Sequence, residues 1–491
     1  MHQNRTPIIT YPHLISYFQG GVIRRAAMIT RRHFLKSAGL LGLALSLPIP
    51  FAKRELQAAL LDNIDYKMPS TVPQIIHIFL YGGPSELAGN LTNIAQINEN
   101  SQNAYPSSLD PENVDNDITK NEFWGQAGGD IMETLLADKY MSIYRTINRI
   151  KDDSKAHGRS VTQNLVGNLD LLNPGIATTL AAILEMYNPL GKSIDELVLP
   201  FVSLEGESTV FSLGNLDIPQ ILRPVTLDSN FKNPYERAKN WYVDGSDDET
   251  NGNRLDQLAQ SISAKDEATY GKVNEAFSKR AELEEFIASR FNSDSVDADL
   301  PIDPLSGQPI QYPNSNFGNR LKSAVSLAIG NPDTMFISLG SGGAGGWDDH
   351  SDALDDYPSR MNGLMEPLQV ACRHMELKSA DNIVINVFGD FGRNVNLNDS
   401  GGWDHGNNQN LYTLGGWGLP GRALGKLVGK TQRIGTSKEN RQFTSPTNGS
   451  YQCEPFAIAS TIFKYFGVQN PQILTGEPAI DESTRVPNEW V

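Results

Sequence analysis

The sequence predicts an α/β protein: a doubly wound, mostly parallel sheet with flanking helices and one charged helical insertion. Three observations carry this: short, nearly continuous apolar runs, helix-spaced segments between them, and glycine-rich polar loops where the runs end. Parallel strands covered on both faces read as continuous apolar runs rather than as alternating patterns. Their alternation with helical segments is the mark of crossover units.

The first run, residues 74–81 (QIIHIFLY), stops at Gly82-Gly83-Pro84-Ser85, as a buried strand feeding a loop should. Further strands are expected at 140–147, 197–204, 334–339, 382–388 and 410–414, and helices at 160–172, 320–329, 351–376 and 455–466. Residues 230–292 differ, being dominated by Asp, Glu, Lys, Asn and Gln with apolar residues at helical intervals from Leu255 to Phe291. They read as a solvated helical insertion. Residues 293–316, rich in Pro, Asp, Ser and Asn, read as a long loop returning to the core, so the insertion extends over 230–316. No repeat marks a solenoid or propeller.

The 491 residues provide a sizeable core. With 41 Lys+Arg against 57 Asp+Glu, the formal charge of −16 disfavours a protein held on nucleic acid or anionic lipid by unspecific attraction. Cys372 and Cys453 stand in no metal-binding or disulfide-scaffold pattern and are expected as two buried thiols.

Residues 1–52 hold six of the Lys and Arg residues and no Asp or Glu. Thr30-Arg31-Arg32-His33-Phe34-Leu35-Lys36 matches the twin-arginine pattern, and the apolar stretch 38–47 is closed by Pro48, Pro50 and Ala52. That stretch is about ten residues, short of the roughly 20 a membrane span needs. A cleaved export signal is therefore expected over 1–52, with the twin-arginine machinery as partner and no integral span in the mature form. Met28 is a second candidate start, which would leave residues 1–27 upstream of it. A linker is expected over 53–70 and the α/β domain over 71–491. Loss of 1–52 moves the formal charge to −22. The expected location is the periplasm or the exterior, and a route that exports folded proteins suits one loaded with metal beforehand.

Five histidines follow residue 52, and His157, His350 and His405 stand in polar, glycine-rich sequence. Doubly wound sheets place ligands outside the carboxyl ends of their strands. The segment 334–350, TMFISLGSGGAGGWDDH, is a strand running into such a loop. Extended, its tail puts Asp348 and His350 on one side, able to share a divalent cation. The alternative is an Asp-rich helix cap before 351–376. The segment 382–393, NIVINVFGDFGR, repeats the design. There Asp390 is a candidate metal ligand, and Arg393 either clamps an oxyanion or forms an ion pair with Asp390. His405, in GGWDHG, is the leading imidazole ligand, with Asp404 beside it to orient the ring. His77, inside the first strand, and His374, inside a helix, are left out of the site.

GGPSE, AHGRSVTQNLVG, GWDDH, GDFGRN and GGWDHGNNQNLYTLGG, in this order, resemble the bacterial domain of unknown function family 1501. That family is usually twin-arginine exported and is allied to the alkaline phosphatase and sulfatase superfamily; the resemblance runs from about residue 71 to 468. It implies an alkaline-phosphatase-like fold with two metal sites flanking a nucleophile. Asp348, His350 and His405 resemble the ligands of one site, and Asp390 an Asp of the second. Phe391 stands where the superfamily commonly has the second site's His, and GGPSELAGN offers only Ser85 and Glu86 where relatives tend to carry Asp or His. The second site thus reads as impaired. The nucleophile position falls on His157, with the hydroxyls of Ser160 and Thr162 nearby.

Two functions are expected. The first is an exported metal-dependent hydrolase of a phosphate or sulfate ester, small or on a polysaccharide, using Zn, Mn, Ca or Mg. Asp348, His350 and His405 would hold the ion, Arg393 would offset oxyanion charge, and His157 would move the proton. The second is a non-catalytic exported protein that keeps a degenerate site to bind a ligand or an envelope partner.

Overall fold

The run QIIHIFL forms β1 (Gln74–Leu80), buried at every position, because it has a hydrogen-bonded neighbour on each side and helices over both faces. The computed structural model describes residues 61–482 apart from 62, 92–93, 100–104, 232–284, 288–290, 292–296, 298, 345 and 435–443. The export signal 1–52, the start of the expected linker and most of the expected charged insertion lie outside the described residues.

In chain order the other strands are β2 (Met141–Asn148), β3 (Phe201–Ser203), β4 (Val225–Thr226), the hairpin β5 (Ile302–Asp303) and β6 (Gln308–Pro309), β7 (Phe336–Gly340), β8 (Ile383–Gly389), β9 (Gly392–Leu397), β10 (Trp403–Gly406), β11 (Asn408–Gly415), β12 (Leu427–Val428), β13 (Thr431–Arg433) and β14 (Thr444–Pro446). Eight build one sheet in the order β12-β2-β11-β8-β1-β7-β3-β4. From β8 through β4 every pairing is parallel. β11 runs antiparallel to both its neighbours, while β12 is parallel to β2. The sheet is mostly parallel, as the sequence predicts, with one reversed strand. The reversal has a plain cause: after β8 the chain folds into the antiparallel hairpin β9–β10 with no crossover helix to carry it back, so the next strand re-enters from the edge that β8 left.

Among the described residues, six helices of nine or more residues flank the sheet: α1 (Gly129–Ala137), α2 (His157–Val166), α3 (Ile176–Tyr187), α4 (Asn316–Gly330), α5 (Ala353–Leu377) and α6 (Phe456–Tyr465). Ile76, Ile78 and Leu80 of β1 point into a core with α1, α4 and α5. Ile75 and Phe79 point into a second core with α2, α3 and α6. The period of two along β1 thus serves two layers, which is what makes the sheet doubly wound. Leu61 and Ile64 pack into the second core.

Helix α1 and the hairpins β5–β6 and β9–β10, the first of these hairpins within the expected loop 293–316, are not expected from the sequence, and two helices depart for a local reason. The helix expected over 160–172 runs instead from His157 to Val166, because Gly167 takes a left-handed conformation (φ +70°) and ends it. Helix α3 has no amphipathic signature to find: every residue from Ile176 to Leu184 is buried, so polar residues do not mark an outer face.

His77 lies wholly buried between Phe336 and Phe388, with ring centroids 5.5 and 5.1 Å away, and burial pushes its pKa down to about 3. His374 meets the Tyr312 hydroxyl at 3.1 Å. Both stand away from the polar edge described next. Cys372 and Cys453 are free, Cys372 buried and Cys453 partly buried. Among the described residues no helix is long and apolar enough to cross a membrane.

Candidate metal centre

The carboxyl ends of β2, β1, β7 and β8 and the amino end of β11 share one edge of the sheet, a consequence of the reversed strand. The loop after β7 brings Trp347 into the core, fully buried, and its backbone N–H donates to the Tyr81 carbonyl at 3.3 Å. Side chains then alternate: Asp349 turns inward to pair with Arg360, while Asp348 and His350 turn outward together. This is the arrangement expected of an extended tail. His405 sits on β10, opposite Arg393 of β9, so the expected glycine-bounded loop is a short strand. His157 is the first residue of α2, whose amino end no side chain caps.

These segments bring four donor atoms together. His405 Nε2 lies 3.0 Å from His157 Nε2 and 3.0 Å from His350 Nε2. Asp348 Oδ1 is 3.3 Å from His157 Nε2, 3.0 Å from His350 Nε2 and 3.7 Å from His405 Nε2. All four donors fall within 4.8 Å of one another. A tetrahedral ion with ligands at about 2.0–2.1 Å has donor–donor edges of about 3.3 Å, and the observed separations bracket that value.

The far side of each ring explains why the near nitrogens face inward. His157 Nδ1 donates to Asp390 Oδ2 at 2.8 Å, His405 Nδ1 donates to the Lys155 carbonyl at 2.7 Å, and His350 Nδ1 stands 3.3 Å from Asp404 Oδ1. A backbone carbonyl only accepts, so the proton of neutral His405 is on Nδ1 and its Nε2 carries a lone pair; the Asp390 carboxylate does the same for His157. Two lone pairs facing each other across 3.0 Å repel unless a proton or a metal cation lies between them, and three such nitrogens with a carboxylate oxygen at these spacings fit a divalent metal. Burial, helped by the Arg393 charge, pushes the pKa of His405 down to about 4, which keeps it neutral. The hydrogen bond that His157 donates to Asp390 raises the His157 pKa. Burial pulls the Asp348 carboxyl upward, but Arg393 and the imidazoles outweigh it and hold it below its ordinary value.

The structure therefore groups Asp348, His350 and His405 with His157, which occupies a ligand position with Nε2 in the cluster and Nδ1 on Asp390. Asp390, expected as a ligand, is fully buried one residue-layer out, where it orients His157 and lies 3.2 Å from the Gly82 N–H. Arg393 pairs with Asp348 at 2.7 Å, not with Asp390. Ser160 is buried and its hydroxyl donates to the Ser154 carbonyl at 3.1 Å; Thr162 donates to the Gly158 carbonyl at 2.8 Å. Ser85 Oγ accepts from the Leu87 N–H at 3.2 Å, and Glu86 bonds Asn408 in the interior. Phe391 lays its ring against His157 and His405, at centroid distances of 4.8 and 4.6 Å. Sequence reasoning missed the Lys155 carbonyl, which no side-chain pattern announces, and matched Asp404 to the wrong imidazole: it serves His350 of the loop after β7.

Residues 72–448 match the family model described as Protein of unknown function (DUF1501), and the chain belongs to that family. No curated protein matches it. Among solved structures it is similar to one titled "Crystal structure of Ps i-CgsB in complex with k-i-k-neocarrahexaose", at 9% identity over 85% of this chain and 76% of that one, with a TM-score of 0.34. That similarity is too slight to carry a fold or a function from one chain to the other.

Proposed function

We propose that this DUF1501 member is an exported metal-dependent hydrolase of a phosphate or sulfate ester, built on an alkaline-phosphatase-like fold. The observation that carries the reading is the convergence of three imidazole Nε2 atoms and Asp348 Oδ1 from three separate segments. Three imidazoles and one carboxylate at tetrahedral spacing favour Zn²⁺ over the harder Ca²⁺ and Mg²⁺. An ion bound there supplies Lewis-acid polarisation of an ester oxygen and a lowered pKa for a water molecule that it binds.

The protein's own residues contribute in three ways. Asp390, Asp404 and the Lys155 carbonyl fix the imidazoles in the tautomer that turns Nε2 inward. The uncapped amino end of α2, which begins at His157, presents backbone N–H groups and the positive end of the helix dipole, which favours an anionic substrate. Asp348 and His350, with side chains 53% and 45% exposed, leave the centre open to solvent on one side, while Phe391 walls the other with hydrocarbon. Export through the twin-arginine pathway, on the motif at Arg31-Arg32, belongs to the same proposal.

The test is metal analysis of the purified mature protein followed by a screen of phosphate mono- and diesters and sulfate esters, with cell fractionation for location. Stoichiometric metal with turnover supports the proposal; neither metal nor turnover sinks it. One observation favours a second reading, a metal-stabilised binding protein. Four protein donors can close a tetrahedron by themselves, as structural zinc sites do. Metal without turnover on any ester selects that reading.

A further inference from the structure

We infer that Arg393 is the positioning residue of the metal centre: it holds Asp348 in place as the fourth donor and does not touch substrate. The inference rests on the metal-centre reading above.

Arg393 is completely buried at the side chain, whereas its partner Asp348 is 53% exposed. Its donors reach separate segments of the chain at once. Nε donates to the Gly83 carbonyl at 2.7 Å, Nη1 to the Trp403 carbonyl at 3.1 Å, and Nη2 to the Trp347 carbonyl at 3.0 Å, to the Gly82 carbonyl and to Asp348 Oδ1 at 2.7 Å. Nη1 also stands 3.4 Å from His350 Nε2. The loop after β1, the loop after β7 and strand β10 are therefore tied through one planar group. Backbone carbonyls and Asp348 take Nε, Nη2 and one N–H of Nη1, and the side chain is completely buried, so the guanidinium faces the protein and not a substrate oxyanion. Among the described residues Asp348 is the one carboxylate within ion-pair distance of it.

An exposed aspartate after the exposed glycines Gly342, Gly343 and Gly346 has rotamer freedom to lose before it can serve as a ligand. Arg393 removes that freedom by fixing both the carboxylate and the carbonyl of the preceding residue, Trp347. The forked geometry matters as much as the charge. A lysine ammonium is a point donor on a flexible stem and cannot span Gly83, Trp403 and Asp348 together.

The experiment measures Zn²⁺ affinity by competition with a chromophoric chelator, and the visible spectrum with Co²⁺, on the full chain. The proteins are wild type, Arg393→Lys, Asp348→Asn and the double variant. Arg393→Lys is expected to weaken Zn²⁺ binding by about 10–100-fold, the usual cost of losing a group that orients a ligand. The double variant should bind no more weakly than Asp348→Asn, since both changes remove the same donor. The Co²⁺ spectra of the two single variants should share the same departure from wild type. Wild-type affinity in Arg393→Lys, or losses that multiply in the double variant, overturn the inference while leaving the metal centre standing. A wild-type chain that binds neither ion overturns both. Should Arg393→Lys fail to fold, Arg393→Gln is measured in its place; failure of both makes Arg393 a residue of the fold rather than of the site and overturns the inference.

Discussion

Asp390 Oδ2 lies 2.8 Å from His157 Nδ1, and this contact gives a fully buried carboxylate the task of deciding which nitrogen of an imidazole faces the other donors. Asp390→Asn keeps the shape but can turn an N–H donor toward Nδ1, which favours the wrong tautomer. The variant is expected to bind Zn²⁺ about 10–100-fold more weakly, measured by chelator competition. Unchanged affinity would remove Asp390 from the centre.

Metal removal should register as lost stability. At a free Zn²⁺ concentration 100 times the dissociation constant, binding adds about 2.7 kcal/mol to the native state, worth roughly 3 °C in Tm for a chain of this size. Scanning calorimetry with and without chelator should show that drop in wild type and its absence in His405→Ala. An equal response in both would mean that His405 holds no ion.

Glu86 gives a pH dependence away from the metal. It is 1% exposed, bonded to Asn408, and burial raises its pKa from 4.5 to about 8, against a smaller opposing pull from Asn408, Asn90 and Arg145. The folded state therefore keeps a proton between pH 4.5 and 8 that the unfolded chain has released. Stability from this group is full below pH 4.5 and falls as pH rises toward 8, with a limiting slope of about 1.4 kcal/mol per pH unit. Urea denaturation of Glu86→Gln between pH 5 and 8 should show a shallower decline than wild type; parallel curves would refute the assignment.

Two glycines make a matched pair of tests. A Cβ at Gly402 would stand 2.0 Å from the carbonyl carbon of His350, whereas one at Gly158 would meet nothing within 4 Å. Gly402→Ala is expected to cost about 1–3 kcal/mol by overpacking and to weaken Zn²⁺ binding by moving His350. Gly158→Ala, within α2, should be neutral or stabilising by up to about 1 kcal/mol. Urea denaturation with Zn²⁺ titration checks both, and a reversed order of cost would contradict the hairpin's packing.

The layers of the fold were legible because β1 and β8 are apolar runs with polar stops, and α5 has spaced apolar residues. The reversed β11 was not, since orientation follows from a connection, and β9–β10 carries Asn, Arg, Asp and His where a strand pattern expects apolar residues. The donors Asp348, His350 and His405 could be read from their company of glycines and carboxylates. His157 could be placed near the centre but not given its part, because both its nitrogens are engaged across 233 and 248 positions of chain. Arg393 defeated residue-type reasoning for a related reason: a free guanidinium and one held by carbonyls look the same in a sequence.

That span of 248 positions between His157 and His405 makes occupancy of the centre a certificate of completion. A nascent or clipped chain ending anywhere before residue 405 lacks one imidazole, so the full donor set exists only once the hairpin β9–β10 has been synthesised and docked. On the proposed reading of a metal protein exported already folded, the ion would act as a seal applied before dispatch.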